Sequence, residues 1–208
     1  MKPFGVSDRE LVEAVSLLRT GGIVAYPTET YYGLGVDPFD DQALNRLFQV
    51  KNRPAVKPVL VLVADREQVG LLARDISPTA RLLMDFFWPG PLTLVLPALP
   101  SLSPLLTGGT GTVGIRLSPH PLATALLHVF AAPLTATSAN RSGHDPAVTA
   151  GEVNAAFGSE VGLILDGGPT PGRMGSTLVG VNGSRVTCIR EGRIRFAEVL
   201  QAAGTTAG

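Results

Sequence analysis

The chain has 208 residues, of which 45% are hydrophobic and 16% are charged, a composition that excludes intrinsic disorder for most of its length. Its 17 basic and 17 acidic side chains balance, which excludes a uniformly basic nucleic-acid coat but not a local basic patch. Cys188 is the sole cysteine, so a reducing compartment without disulfides is expected. The sequence shows no signal peptide and no apolar run of about 18 residues, so we expect a cytoplasmic protein without a membrane span.

Helices and strands alternate along the chain, beginning with a helix. Ser7 and Glu10 form a capping-box pattern ahead of apolar residues at helical spacing. The segment "IVAYP" (23–27) is then predicted as a buried strand that runs into a loop. Asp40 or Asp41 is expected to cap the second helix.

The central and C-terminal parts continue this alternation. The run "PVLVLVA" (58–64) is typical of a strand covered on both faces, and helices are predicted after Asp65 and from Ser77-Pro78. His128 lies in the helical pattern "HPLATALLHVF" and Cys188 in the strand "VTCIR", so both are expected to pack in the core. The other strands are predicted at "LTLVLP", "TVGIRLS", "PLTATS", "VGLILD", "STLVGV" and "RVTCIRE", with a helix capped by Thr149 and Glu152 after the third of them.

These elements predict an α/β fold with one twisted, open, mixed sheet and flanking helices. No linker separates two halves, so a single domain is expected over 1–208, with its core at about 8–200 and a frayed tail at 201–208. The glycines and prolines cluster in loops after strands, which is where open α/β sheets hold ligands.

Two polar loops in the first third of the chain are candidates for function. "PTETYYGLG" (27–35) carries hydroxyls, a carboxylate and glycines that permit close approach of a ligand; a polar turn is the alternative. Four basic residues and no acid fall between Asp41 and Asp65, which indicates either a phosphate site or a solvated helix end. Pro54 and Pro58 stiffen this basic loop, which lowers the entropy lost when an anion binds.

Two further loops follow later strands. "TGGTGTVGIR" (107–116) can cradle an anion through backbone N–H groups. Arg116 lies among apolar residues and needs a partner, since an unpaired buried charge is very costly. That partner is either an internal carboxylate or a ligand carboxylate bound by both arms of the guanidinium. "TATSANRSG" (135–143) suits close backbone contact with a ligand, or a purely structural turn.

Several kinds of catalysis lack their sequence patterns. Nothing matches the P-loop or the G-x-S-x-G nucleophile elbow. His120, His128 and His144 show no metal-ligand spacing. A metal-ligand site and a hydrolase of the nucleophile-elbow type are therefore disfavoured.

Taken in order, the four loops resemble the YrdC/Sua5-type L-threonylcarbamoyladenylate synthases. The K-x-R and S-x-N signature of that family is present as Lys51-Asn52-Arg53 and Ser138-Ala139-Asn140. Its "PTET-x-YGLG" loop is present at 27–35 and its "SAN-x-SG" loop at 138–143. The resemblance extends from about Ile23 to Arg190.

The resemblance implies a concave, positively charged cleft and the reaction of L-threonine, bicarbonate and ATP to give L-threonylcarbamoyladenylate and pyrophosphate. This is the first step of the t6A modification of tRNA. Carried over position by position, the catalytic residues would be Lys51, Arg53, Ser138 and Asn140. L-threonine would be held by Thr30, Arg116, the backbone of Ala136, and Ser176. ATP, with Mg²⁺ bound to it and not to a protein-held site, would be held by Lys51, Arg53, Lys57, Thr112, Ser138, Asn140, the region of Pro146, and Arg190.

The chain departs from the family pattern at three places. Leu62 stands where some relatives have histidine, Lys57 replaces a frequent asparagine, and "GRMGSTLV" replaces the commoner "GIESTVV" type of loop. These differences put fine contacts to threonine in doubt.

The resemblance implies the short form of the enzyme, which would pass its product to a separate tRNA threonylcarbamoyltransferase complex. Weak direct binding of tRNA is left open. A module that binds RNA without catalysis is one competing hypothesis. The carbamoylating domain of hydrogenase maturation factors is another, but it normally belongs to a longer chain with several cysteines.

Overall fold

A computed structural model describes residues 5–54 and 56–204 of the chain. The helices are α1 (Asp8–Arg19), α2 (Asp41–Lys51), α3 (Pro78–Phe87), α4 (Pro104–Thr107), α5 (Pro121–Phe130), α6 (Ala150–Phe157) and α7 (Phe196–Ala202). The strands are β1 (Val24–Pro27), β2 (Tyr32–Gly35), β3 (Val61–Leu62), β4 (Leu92–Pro97), β5 (Thr112–Arg116), β6 (Leu134–Thr135), β7 (Thr137–Ser138), β8 (Leu163–Ile164), β9 (Thr177–Asn182) and β10 (Arg185–Arg190).

The strands form two mixed sheets. The smaller has the order β7-β2-β1-β8 and the larger has the order β10-β9-β4-β5-β3-β6. Each combines parallel and antiparallel pairs: β1 is antiparallel to β2 and parallel to β8, and β4 is antiparallel to β5 and parallel to β9. The predicted α/β class and mixed pairing are confirmed, while the strands are divided between two sheets and not joined in one.

The predicted helix starts are confirmed because they depend on local hydrogen bonds. Ser7 and Glu10 form the complete capping box of α1. The Asp40 carboxylate caps α2 by accepting from the N–H groups of Gln42 and Ala43. Thr149 accepts from the Glu152 N–H at the start of α6, although the Glu152 carboxylate accepts from Val148 and not from Thr149.

Several strand and helix predictions need correction. The first polar loop contains strand β2, which pairs with β1 as a hairpin. In the run 58–64 only Val61–Leu62 pairs as a strand. Val59 and the residues 61–63 are buried, as expected for a covered strand. A 3₁₀ helix, Glu67–Leu71, stands where a helix was predicted after Asp65. Helix α7 was not predicted and extends into the expected frayed tail; residues 205–208 lie outside the described part of the chain.

His128 and Cys188 are exposed, so the prediction that they are core residues was wrong. Helix α5 buries Leu127 and Phe130 and turns His128 to solvent. Cys188 lies on β10, an edge strand whose residues are mostly exposed. Hydropathy and strand propensity do not reveal that a strand lies at an edge.

Two features of the fold determine where a site can form. The chain passes from the larger sheet to the smaller within "PLTATS", because β6 belongs to one, β7 to the other and Ala136 lies between them. Strands of both sheets contribute residues to a common space. Among the helices of the described residues, none is long and apolar enough to cross a bilayer.

Candidate functional site

A cavity of about 720 Å³ lies between the two sheets. Its walls come from β2 and β7 of the smaller sheet and from β4, β5, β9 and β10 of the larger one. Ten of the twelve predicted site residues line it: Thr30, Arg53, Lys57, Thr112, Arg116, Ala136, Ser138, Pro146, Ser176 and Arg190. Lys51 and Asn140 are not among its lining residues.

Arg116 lies at the end of β5 and is only 4% exposed. It forms an ion pair with Glu29, and its Nη1 also lies 3.4 Å from the Thr30 hydroxyl oxygen. Of the two partners that the sequence allowed, the structure therefore shows the internal carboxylate. Both of these contacts use Nη1, and no buried side-chain nitrogen or oxygen of the described residues lacks a partner. Arg116 lines the cavity, and among the described residues its side-chain hydrogen bonds use Nη1 alone, so its other guanidinium nitrogens are available to a ligand.

The remaining residues predicted to hold threonine lie in the same cavity. The Ser176 hydroxyl is 2.8 Å from the Thr93 hydroxyl, and both side chains are buried. The Ala136 N–H donates to the carbonyl of Leu60 at 2.8 Å, so a ligand at Ala136 would use its carbonyl oxygen. The hydroxyls of Thr28 and Thr30 are 3.0 Å apart.

The cations of the cavity come from separate segments. Arg53 follows the left-handed residue Asn52 that ends α2, and its Nη2 donates to the Pro58 carbonyl at 2.9 Å. Arg190 on β10 donates to the Ser176 carbonyl at 2.9 Å. Burial lowers the pKa of both guanidinium groups, and the charge of Arg116 lowers that of Arg190 further. An anion bound beside these arginines would therefore stabilise their charged forms.

The charge of the described cavity lining is asymmetric. Arg53, Lys57, Arg116 and Arg190 supply four cations, and Glu191 supplies the one carboxylate. The Thr110 and Thr112 hydroxyls are 2.8 Å apart, and both residues line the same cavity. A polyanionic ligand suits this combination of cations and hydroxyl donors.

Lys51 connects the K-x-R and S-x-N motifs from behind the cavity wall. Its ammonium donates to the backbone carbonyls of Ser138 and, at 2.7 Å, Asn140. Its side chain is 2% exposed, and burial, with a smaller contribution from Arg53, lowers its pKa to about 7. The Ser138 hydroxyl donates to the side-chain carbonyl of Asn140 at 2.6 Å. Within this motif pair, Ser138 and Arg53 face the cavity while Lys51 and Asn140 shape the loop.

Sequence reasoning missed three polar residues around Arg116. Glu29 pairs with Arg116, the Ser118 hydroxyl donates to the same carboxylate, and the Arg193 guanidinium donates to the Glu29 carbonyl. Glu29 was visible as the carboxylate of the first loop. Its partner is 87 positions away, and no local pattern connects residues at that distance.

The glycine-rich loop packs directly on the basic loop. A Cβ atom at Gly108 would lie 2.7 Å from the Val56 carbonyl and 2.8 Å from the Pro58 nitrogen, and Gly108 has a φ of +59°. Gly109 has a φ of +71° but no atom within 4 Å of its Cβ position. The two glycines thus share a left-handed backbone and differ in the space around them.

We expect Gly108→Ala to lower the free energy of unfolding by more than Gly109→Ala, because only the first adds a backbone clash to the cost of the left-handed conformation. The difference should be about 1–2 kcal/mol. Urea unfolding of the two variants beside the wild type measures it. Equal losses would show that the basic loop moves away freely and is not held by this contact.

The fold and the cavity define an α/β protein with a cavity between two mixed sheets, lined in its described part by four basic side chains and one carboxylate. The chain belongs to the Sua5/YciO/YrdC family: the model of this family, described as "Telomere recombination", matches residues 16–192.

Three similar proteins illustrate this membership. A threonylcarbamoyl-AMP synthase of Thiobacillus denitrificans is 45% identical over 163 residues, which cover 78% of this chain and 86% of the relative. A threonylcarbamoyl-AMP synthase of Pyrococcus abyssi is 37% identical over 191 residues, covering 92% of this chain and 56% of the relative. The crystal structure of P. abyssi Sua5 complexed with L-threonine superposes with a TM-score of 0.91 at 36% identity, covering 96% of this chain and 58% of that one. The chain thus spans little more than half the length of the archaeal protein.

Proposed function

We propose that this chain synthesises L-threonylcarbamoyladenylate from L-threonine, bicarbonate or CO₂, and ATP, with release of pyrophosphate. The observation that carries the proposal is that one cavity holds both a buried arginine with free donors and a separate group of cations. The names of the relatives, and the L-threonine in the P. abyssi Sua5 structure, support the same reaction.

The amino acid would bind at the Arg116 end of the cavity. The accessible nitrogens of Arg116 would bind its carboxylate, since guanidinium and carboxylate match in geometry. Thr30, Ser176 and the carbonyl of Ala136 line the same cavity and would contact the hydroxyl and amino groups. A ligand carboxylate there would add a second anion to the Glu29–Arg116 pair.

ATP would bind along the cationic wall. Arg53, Lys57 and Arg190 would contact the phosphates, and Thr112 and Ser138 would supply hydroxyl donors from either side. The described residues contain no group of three or more His, Cys, Asp or Glu side chains arranged for a metal ion. We propose that Mg²⁺ binds together with ATP, where it would neutralise phosphate charge.

The chemistry requires positioning more than covalent catalysis. The amine of L-threonine adds to the carbon of CO₂ and loses a proton, which yields a carbamate. A carbamate oxygen then attacks the α-phosphorus of ATP, the bond from that phosphorus to the bridging oxygen breaks, and pyrophosphate leaves. Negative charge builds on phosphate oxygens in this step, and fixed cations and hydroxyl donors stabilise it.

The product would serve as the first intermediate of the t6A modification at position 37 of tRNA. A separate tRNA threonylcarbamoyltransferase complex would consume it, and a cytoplasmic location follows from that role. An RNA-binding module without catalysis would instead bind tRNA with a steep salt dependence and no response to ATP.

The test is to incubate the purified chain with L-threonine, bicarbonate and MgATP and to measure pyrophosphate. Release is expected only when all three substrates are present, with the adenylate detected by mass spectrometry. Pyrophosphate release that continues without L-threonine would contradict the proposal. So would tight tRNA binding by a protein that forms no adenylate.

Arg53→Ala is expected to weaken ATP binding by about tenfold or more, because a charge-assisted contact to phosphate is worth about 1.5–3 kcal/mol. L-threonine binding should change little. Isothermal titration calorimetry with each ligand measures both effects. Arg74→Ala, which removes an exposed arginine outside the cavity, is the matched control. Unchanged ATP affinity in Arg53→Ala would place the phosphates elsewhere.

A further inference from the structure

Glu29 lies at the tip of the β1–β2 hairpin, next to Thr30, and only 13% of its side chain is exposed. It is absent from the cavity lining. Its carboxylate nevertheless touches the group that would bind the amino acid. It therefore stands one layer behind the cavity surface.

The two carboxylate oxygens of Glu29 have different partners, Arg116 at the end of β5 and Ser118 two residues after it. Oε1 accepts from Nη1 of Arg116, and Oε2 accepts from the hydroxyl of Ser118. Ser118 is 2% exposed and its Oγ also accepts from the His120 N–H at 3.2 Å. Because both oxygens are held, the carboxylate has a defined orientation and presents one oxygen to one arm of the guanidinium.

The hairpin tip that carries Glu29 is itself anchored. The Arg193 guanidinium donates to the Glu29 carbonyl. The next carbonyl, of Thr30, accepts from the Gly172 N–H at 2.8 Å. The tip is thus connected both to the residues that follow β10 and to the loop before β9, and these segments hold Glu29 in place.

This arrangement assigns separate tasks to the nitrogens of Arg116. Nη1 is occupied by Glu29 and Thr30, while the other nitrogens are available to a ligand. Because two acceptors hold Nη1, rotation of the guanidinium is restrained and the side with the other nitrogens keeps one direction. A guanidinium with a fixed direction can bind a carboxylate at two points but an uncharged amide, which has one acceptor oxygen, at only one.

We propose that Glu29 is a positioning residue for the amino-acid substrate, which fixes the guanidinium of Arg116 so that its free edge selects a carboxylate. The inference rests on the proposed function for the identity of the ligand, and on the ion pair itself for the orientation of Arg116. Glu29 does not touch the substrate and acts through Arg116.

Two variants and one control separate orientation from charge. Glu29→Gln keeps an acceptor for Nη1 and an amide that can face the Ser118 oxygen, whereas Glu29→Ala removes both contacts. Asp85→Asn is the control: it removes the carboxylate of the exposed Arg66–Asp85 pair, whose members do not line the cavity. Dissociation constants are measured by calorimetry for L-threonine, L-threoninamide and ATP with each protein.

Glu29→Ala is expected to weaken L-threonine binding by about tenfold and to abolish most of the preference for L-threonine over L-threoninamide, while ATP affinity stays within about threefold. Glu29→Gln should retain most of that preference, and Asp85→Asn all of it. Equal losses in the Gln and Ala variants would overturn the inference, because charge alone would then explain the effect. A parallel loss of ATP affinity would show a merely structural role.

A ligand-free measurement makes the inference independent of the proposed function. In ¹⁵N NMR spectra the wild type should show separate Nη–H signals for Arg116, assigned by their loss in Arg116→Lys, because rotation of the held guanidinium is slow. These signals should remain separate in Glu29→Gln and merge in Glu29→Ala. Unchanged signals in Glu29→Ala would overturn the inference, whereas a wild type that binds no L-threonine would contradict only the proposed function.

Ser118→Ala covers the case in which Glu29→Ala does not fold. It keeps the ion pair and removes the partner of the second carboxylate oxygen. We expect it to broaden the Arg116 signals and to weaken L-threonine binding by about three- to tenfold. Wild-type signals and affinity in this variant would overturn the inference.

Discussion

Arg116→Lys is expected to weaken L-threonine binding by about 10- to 100-fold, which corresponds to the 1.5–3 kcal/mol of a charge-assisted hydrogen bond. Lysine keeps the positive charge beside Glu29, so the buried carboxylate does not lose its counter-charge. It lacks the second arm that would bind a ligand carboxylate while the first arm holds Glu29. Calorimetry with L-threonine measures the loss, and threonine-dependent pyrophosphate release should fall with it.

The matched control for Arg116→Lys is Arg141→Lys. Arg141 is also paired with a carboxylate, that of Glu160, and lies outside the cavity lining. The Arg141→Lys variant should bind L-threonine as the wild type does. Wild-type L-threonine affinity in Arg116→Lys would mean that the amino acid binds without the guanidinium, and the amino-acid end of the cavity would have to be reassigned.

Lys51→Met is expected to destabilise the ligand-free protein more at pH 9 than at pH 6. The substitution leaves the carbonyls of Ser138 and Asn140 without their shared donor, at a cost of about 1–3 kcal/mol for each unsatisfied group. In the wild type the pKa of Lys51 falls from 10.5 to about 7 on folding, mainly through burial. Between these two values the unfolded chain binds a proton that the folded chain does not.

The sign of the pH dependence follows from that difference. Because the unfolded state binds more protons between pH 7 and 10.5, the free energy of unfolding rises with pH over this interval, by up to about 1.4 kcal/mol per pH unit. Below pH 7 the buried ammonium is charged in both states and the full cost of its burial is present. Lys51→Met removes this dependence, so its deficit relative to the wild type grows as the pH rises.

Urea unfolding at several pH values between 6 and 10 measures the slope difference between the wild type and Lys51→Met. Lys57→Met is the matched control, since Lys57 lies in the same basic segment but is exposed. It should keep the stability of the wild type across the series. Parallel pH profiles for the wild type and Lys51→Met would show that the Lys51 ammonium is not perturbed by burial.

The helix starts after Ser7, Asp40, Ser77 and Thr149, which depend on neighbours in sequence, were predicted correctly. The caps at Ser7 and Asp40 join groups two to three residues apart, and side-chain caps of this kind are encoded locally. The four polar loops were also recognised as candidates from their residue types. Ten of the twelve residues carried over from the family pattern line one cavity, but their contacts with ATP and L-threonine remain predictions.

Features that depend on contacts between distant residues were not predicted correctly. Strand β2 was predicted as part of a polar loop because Thr28, Glu29 and Thr30 precede it and two of its four residues are glycines, yet all four are buried in a strand that pairs with β1 and β7. Cys188 looked like a core residue because the edge position of β10 is set by sheet order. Neither burial nor edge position is a property of a short segment.

The amino-acid sequence by itself determined the α/β class, the helix starts after Ser7, Asp40, Ser77 and Thr149 and the identity of the polar loops, since these depend on local hydrogen bonds and on residue type. Only the tertiary structure decided how the charged residues of those loops are used. It turned Lys51 to the carbonyls of Ser138 and Asn140, about 90 positions away, and paired Arg116 with Glu29. The physical reason is that a buried charge takes whichever partner the packed sheets bring near it, and no local pattern specifies that partner.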